Sequence, residues 1–153
     1  MYNRILVPVD GSPTSSRGLQ EAIKLARLTG ARLRLMHVVD ELALASGLEA
    51  ATMMTGDMMQ LLREGGARLL AKARARVEKA GVPVDSVLCD SLAGRICDQV
   101  VDQAKSWRAD LIVLGTHGRR GVGRMLLGSD AEMIVRLAPV PVLLVRAKEA
   151  AKA

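Results

Sequence analysis

One stretch concentrates the groups that could do chemistry. It runs Gly115-Thr116-His117-Gly118-Arg119-Arg120-Gly121-Val122-Gly123-Arg124-Met125-Leu126-Leu127-Gly128-Ser129. Its glycines let the backbone take positive φ and come close to a ligand. Arg119, Arg120 and Arg124 add positive charge. The apolar run Leu111–Leu114 leads in as a strand, and Asp130–Val135 leads out as a helix. A helix start offers unpaired N–H groups and the positive end of the dipole, which suits a phosphate. The chemistry this implies is binding of a phosphorylated small molecule. A plainer reading stands beside it, in which the glycines only turn the chain and Ser129 only caps its helix. Ser129-Asp130-Ala131-Glu132 fits the capping-box pattern. The loop alone leaves both readings open, because glycine-rich motifs match by chance. No Gly-Lys-Ser/Thr closes it as in a Walker loop. A dinucleotide fingerprint would follow the first strand, and this loop follows a late one.

The elements that must hold this loop follow from hydrophobic spacing. Residues 4–9 are a continuous apolar run, expected of a strand buried on both faces. Pro8 sits near its end, where a missing N–H matters least. Asp10-Gly11-Ser12 is a turn, with Ser12 as the predicted N-cap and Pro13 as the first helical residue. Leu19, Ala22, Ile23 and Ala26 form one stripe, and Gly30 stops the helix. Residues 32–39 form a second strand, in which His37 reads as packed and hydrogen-bonded. Met53, Met54, Met58 and Met59 read as adaptable filler around a Gly56-Asp57 break. A helix is predicted from Met58 to Lys79, weakened at Gly65-Gly66 by about 1 kcal/mol per glycine, with Gly81 as its end. Val84–Cys89 is a third strand. Ser91 is the predicted cap of a helix carrying Leu92, Ile96, Val100 and Ala104, with Trp107 beyond it. Asp110–Leu114 is the fourth strand, and a helix runs from Asp130 to about Leu137. Ala138-Pro139 breaks the chain before a fifth strand, Val140–Val145.

This alternation predicts an α/β fold with a parallel sheet and helices on both faces. In a doubly wound sheet, ligands sit at the carboxyl ends of the strands, where the winding reverses. Asp10 and Gly115 both stand just past strand ends.

The motif Gly115-x2-Gly118-x9-Gly128-Ser129 matches the nucleotide-binding pattern of the universal stress protein family. Ile5-Leu6-Val7-Pro8-Val9-Asp10-Gly11-Ser12, Leu35-Met36-His37-Val38 and Ala138-Pro139-Val140-Pro141-Val142-Leu143-Leu144-Val145 resemble that family too. The resemblance covers nearly the whole chain and is weakest from about Ala43 to Met59. It implies a three-layer α/β/α, Rossmann-like fold of the adenine nucleotide alpha hydrolase type, with a five-stranded parallel sheet in order 3-2-1-4-5. It also implies a single domain over residues 1–147, followed by a frayed tail at 148–153. The implied ligand is ATP (or ADP or AMP), with Mg²⁺ held through the phosphates. Pro8, Val9 and Asp10 would line the adenosine side. Val38 would meet the adenine through its backbone, and Leu114 and Gly115 would border the ribose. Gly118, Arg119, Gly128, Ser129 and Asp130 would hold the phosphates, within a loop that includes Thr116, His117 and Arg120. Asp130 departs from the family pattern, where a small apolar residue or Thr commonly follows the Ser. Its carboxylate is expected to turn to solvent, since an acid in a first helical turn complements the dipole.

Composition bounds the alternatives. The chain has 153 residues, half of them hydrophobic, with no Phe, one Tyr and one Trp. So few aromatic residues argue against base-stacking on single-stranded nucleic acid. The net charge of +6 is scattered, with the 119–124 loop as its local concentration. No apolar run approaches the ~20 residues of a membrane span. The N-terminus enters a strand directly and reads as lacking a signal peptide. Cys89 and Cys97 fit no metal spacing and read as reduced thiols in a cytoplasmic protein. No Walker-B acid, catalytic Lys or water-positioning Gln is identifiable, so hydrolysis is at most slow, assisted by Arg119 or Arg120. His117 reads as positional and no catalytic residue is assigned. The apolar last strand implies a homodimer through Val140–Val145. The expected role is a nucleotide-dependent regulatory or stress-response protein with an unidentified protein partner. The alternatives are a non-nucleotide-binding dimeric module of the same family and a genuine nucleotide hydrolase. A PP-loop adenylating enzyme lacks its Ser-Gly-Gly-x-Asp-Ser loop here, and a phosphoacceptor receiver lacks its acidic set.

Overall fold

The computed structural model describes residues 1–39, 56–90, 94–116 and 127–146. In chain order the elements are β1 (Arg4–Pro8), α1 (Pro13–Thr29), β2 (Arg32–Val39), α2 (Gly56–Lys79), β3 (Val84–Asp90), α3 (Ile96–Ser106), β4 (Leu111–Gly115), α4 (Ser129–Leu137) and β5 (Val142–Val145). The strands form one parallel five-stranded sheet in the order β3-β2-β1-β4-β5. This is the predicted three-layer α/β fold and strand order.

Alternation along the central strands sorts the core into two layers. Ile5, Val7, Leu33, Leu35, Leu111 and Val113 face α1 and α2, where Leu19, Ala22, Leu70 and Val77 meet them. Leu6, Met36, Ile112 and Leu114 face α3 and α4, against Val100, Ala104, Ala131 and Ile134. Burial on both faces is why β1 and β4 read as unbroken apolar runs. Winding reverses between β1 and β4. Their carboxyl ends therefore flank the crevice where such folds bind ligands.

The other end of the sheet is closed by charge. Asp110 accepts the Asn3 and Arg4 amides at 2.7 and 3.0 Å. Arg34 forks onto Asp85 at 2.6 and 3.1 Å. Its guanidinium lies 4.8 Å from the Trp107 ring, a stacked cation–π contact. This explains why a charged residue is tolerated inside a central strand.

Several sequence expectations shift. The second helix begins at Gly56 rather than Met58. The third begins at Ile96, with Arg95 as a cap lacking a side-chain hydrogen bond. Ser91 and Leu92, expected to start it, lie outside the described residues. Gly94 at φ 122 turns the chain just before the helix. In place of a serine cap, the buried Gln99 amide donates to the Asp90 and Gly94 carbonyls at 3.0 Å each. The last strand is shorter than Val140–Val145. It starts at Val142 because Pro141 has no N–H for the ladder, although its carbonyl still accepts from Ile112 at 3.0 Å. Met53, Met54 and the 148–153 tail lie outside the described residues.

Candidate functional site

The first wall of the crevice is the exit of β1. Asp10 bends the chain by accepting the Ser12 amide on Oδ1 at 2.8 Å, a side-chain turn that fixes its carboxylate locally. Gly11 takes φ 80, as the turn requires, and packs under the Leu69 methyl of α2. Ser12 is the N-cap of α1, as predicted, with the Ser15 amide donating to its Oγ at 3.1 Å. The Ser15 hydroxyl in turn accepts the Asp10 amide at 3.1 Å. Ser12, Thr14 and Ser15 are all buried. The turn is thus tied by a hydroxyl–amide network, and satisfied networks of this kind hold a single geometry.

The second wall is the exit of β4. A Cβ on Gly115 would lie 2.6–2.8 Å from the Thr14 carbonyl and the Ser15 amide, against rigid backbone. Gly18 has a matching role, since a Cβ there would lie 3.3 Å from the Gly115 amide. The two glycines let the first turns of α1 ride directly on β4. Gly115 therefore has a packing reason to be glycine, independent of any ligand.

The third wall is the start of α4. Gly128 is its N-cap at φ −58 and ψ 147, and it has no side chain to cap with. The predicted capping box does not form. Ser129 stands one place inside the helix, and the Glu132 carboxylate accepts from Arg136 at 2.8 Å. The Gly128 amide donates to the Thr116 carbonyl at 3.0 Å, while the Thr116 amide donates to Val145 at 3.0 Å. The chain leaves β4 and returns to α4 through two hydrogen-bonded ends. α4 begins at that closure.

Register shows which predicted residues come together. β1 pairs with β2 as Pro8 opposite Met36, and with β4 as Ile5 opposite Leu111. Continued two residues past β1, that register sets Asp10 level with both Val38 and Thr116. Pro8 and Val38 are half-buried. Val9 and Leu114 are buried in opposite core layers, so what they offer a ligand is backbone. Ser129 and Asp130 are exposed in the first turn of α4. His117, Gly118, Arg119 and Arg120 lie outside the described residues.

Sequence reasoning missed the supporting contacts. A Cβ on Gly66 would lie 2.9 Å from His37 Cδ2. The signal available was a glycine pair at the centre of an otherwise well-formed helix, read only as weakness. His37 itself is buried, as predicted, with Nδ1 at 2.7 Å from the Val9 carbonyl. Burial, then the neighbouring Asp90 charge, pushes the Cys89 pKa up, which disfavours its thiolate. Among the described residues no group of three or more His, Cys, Asp or Glu could hold a metal.

Comparison with known proteins agrees with this architecture. Universal stress protein MJ0531 of Methanocaldococcus jannaschii is 35% identical over 147 residues, spanning 95% of this chain and 83% of that one. The solved structure of MJ0577 matches with a TM-score of 0.83 at 25% identity, covering 98% of this chain and 99% of that one. A universal stress protein from Archaeoglobus fulgidus, solved in complex with dAMP, matches with a TM-score of 0.67 at 25% identity, over 94% and 98% of the two chains. A model of the universal stress protein family matches residues 1–146, and the chain belongs to that family.

Proposed function

We propose that the protein binds an adenine nucleotide, ATP with Mg²⁺ on its phosphates, in the crevice between the ends of β1 and β4. The carrying observation is the start of α4: its N-cap, Gly128, makes no side-chain cap hydrogen bond and is tied to Thr116. A helix start whose cap residue is a glycine suits close approach of an anion of the size and charge of a phosphate. Gly118, Arg119 and Arg120 belong to the chain between those two ends and would add charge and close backbone approach. Val38 and Asp10, level with Thr116, would receive the base and ribose. The dAMP bound by the A. fulgidus relative supports the adenine class. Mg²⁺ would be carried by phosphate oxygens and water, as that ion commonly is.

Residues 1–147 would act as one unit with a regulatory, stress-response role in the cytoplasm, and hydrolysis would be slow. A second chain would pair along β5, an edge strand whose Leu143 and Leu144 are 38% and 36% exposed. Bare apolar edges favour such pairing. Sedimentation as a monomer across micromolar concentrations would remove the dimer.

Acid extraction of the purified protein, followed by nucleotide chromatography, tests the main reading. Recovery of ATP or ADP near one per chain is expected, with loss in an Arg119→Ala/Gly128→Val variant. An empty chain that also fails to take up added ATP with Mg²⁺ would refute it.

A further inference from the structure

The rung that should follow the last one between β1 and β2 is missing, and a side chain stands in its place. The Val9 amide donates to the Met36 carbonyl at 2.8 Å. In a parallel ladder the next bond would run from the Val38 amide to the Val9 carbonyl. That carbonyl instead faces His37 Nδ1 at 2.7 Å. A carbonyl only accepts, so Nδ1 carries the proton. Among the described residues, no backbone carbonyl takes the Val38 amide. Alternate residues of β2 bond to opposite neighbours, and the Leu33 amide already donates to Pro83 on the β3 side. Val38 therefore turns its N–H and C=O toward β1, one step beyond the point where β1 stops pairing.

We propose that His37 is a positioning residue of the nucleotide site. It holds the Val9 carbonyl out of the ladder and so leaves the Val38 N–H and C=O open as the edge that reads the base. Gly66 is the clearance this needs, because a Cβ there would come within 2.9 Å of the ring at Cδ2 and within 2.9 Å of the Leu88 methyl. The ring is wedged between α2 and the β1 exit, with 5% of its surface exposed. The same link makes α2 a mechanical neighbour of the base, since Leu69 of that helix also rests against Gly11. The proposal rests on the nucleotide reading, deepening it from a place in the fold to a donor–acceptor pair and the side chain that keeps it free.

The test uses the full chain, His37→Leu and His37→Asn. The Asn amide can place an N–H near the position of Nδ1, whereas Leu cannot donate at all. Amide exchange of the ligand-free proteins is followed by NMR, and ATP affinity by calorimetry. In the native chain Val38 should exchange faster than Met36. In His37→Leu, Val38 should slow and ATP affinity should fall about tenfold, the worth of one hydrogen bond, while His37→Asn stays close to the native chain. A native Val38 as protected as Met36 would overturn the proposal. So would equal losses in the Leu and Asn variants, which would mark His37 as filler. If the native chain takes up no ATP although Val38 exchanges as expected, the nucleotide reading and the base half of this proposal both fall. The His37–Val9 contact would then stand as a strand terminator only.

Discussion

Two helices start beside the crevice, and they start differently. α1 is closed on itself: Ser12 takes the Ser15 amide, Pro13 has no amide to leave over, and Ser15 reaches back to Asp10. α4 opens on Gly128, which has no side chain to cap with. Both have the same dipole sense toward the strand ends. The difference is in what already occupies the orphan amides that every helix start carries. α1 uses them to fix the geometry of the turn, whereas the Gly128 cap of α4 has no side chain to take them. A helix N-terminus can be a scaffold or a binding group according to its cap, and in the proposed site α1 would be the first and α4 the second.

Breaking the scaffold side should cost most. Gly115→Ala drives a Cβ into the backbone of Thr14 and Ser15, which cannot step aside as a side chain would. Overpacking of that kind costs about 3 kcal/mol or more, read as a lower urea midpoint at unchanged slope. An unchanged midpoint would show that α1 does not ride on β4 as described. Gly66→Ala is next. The clash with His37 and Leu88 should outweigh the roughly 1 kcal/mol that Ala gains over Gly in a helix, leaving a net loss of about 1–2 kcal/mol. A stabilised variant would mean that the ring yields freely. Ser12→Ala removes the α1 cap and should cost about 1 kcal/mol while leaving ATP affinity nearly unchanged. If affinity collapsed and stability did not, the roles assigned to the two helices would be reversed. Smallest of all, breaking the exposed Glu132–Arg136 pair on α4 should change stability by a few tenths of a kcal/mol at most.

Much of this was legible from residue order. The strands of a parallel sheet are buried on both faces, so Ile5-Leu6-Val7 and Leu111–Leu114 stand out as runs. Ser12-Pro13 and Gly30 bracket α1 by local chemistry that needs no tertiary context. The caps of α3 and α4 depart from the local serine patterns for one shared reason. Ser91 and Ser129 have the right side chains, but tertiary contacts set the actual starts. Gln99 organises the turn before α3 from within the helix, and the Gly128–Thr116 bond fixes where α4 begins. The glycines were legible as glycines but not as contacts. Gly66 and Gly18 look like flaws in helices until the partner surfaces, His37 and the β4 backbone, are brought against them. Val38 came from family resemblance. Why its backbone is open became visible only with the position of the His37 ring.

In the proposed site the start of α4 would bind the phosphates. Calorimetric titration of Mg²⁺–ATP into the native chain and into Gly128→Asp addresses it directly. The backbone at residue 128, φ −58, suits an L residue, and Asp is a strong N-cap. The variant would thus give α4 the closure that α1 has and set a carboxylate where the phosphate should lie. The expected result is a thermal midpoint equal to or above the native one, together with ATP affinity weakened about a hundredfold or more, equivalent to about 2.7 kcal/mol. Native-like ATP affinity in a folded Gly128→Asp protein would contradict it.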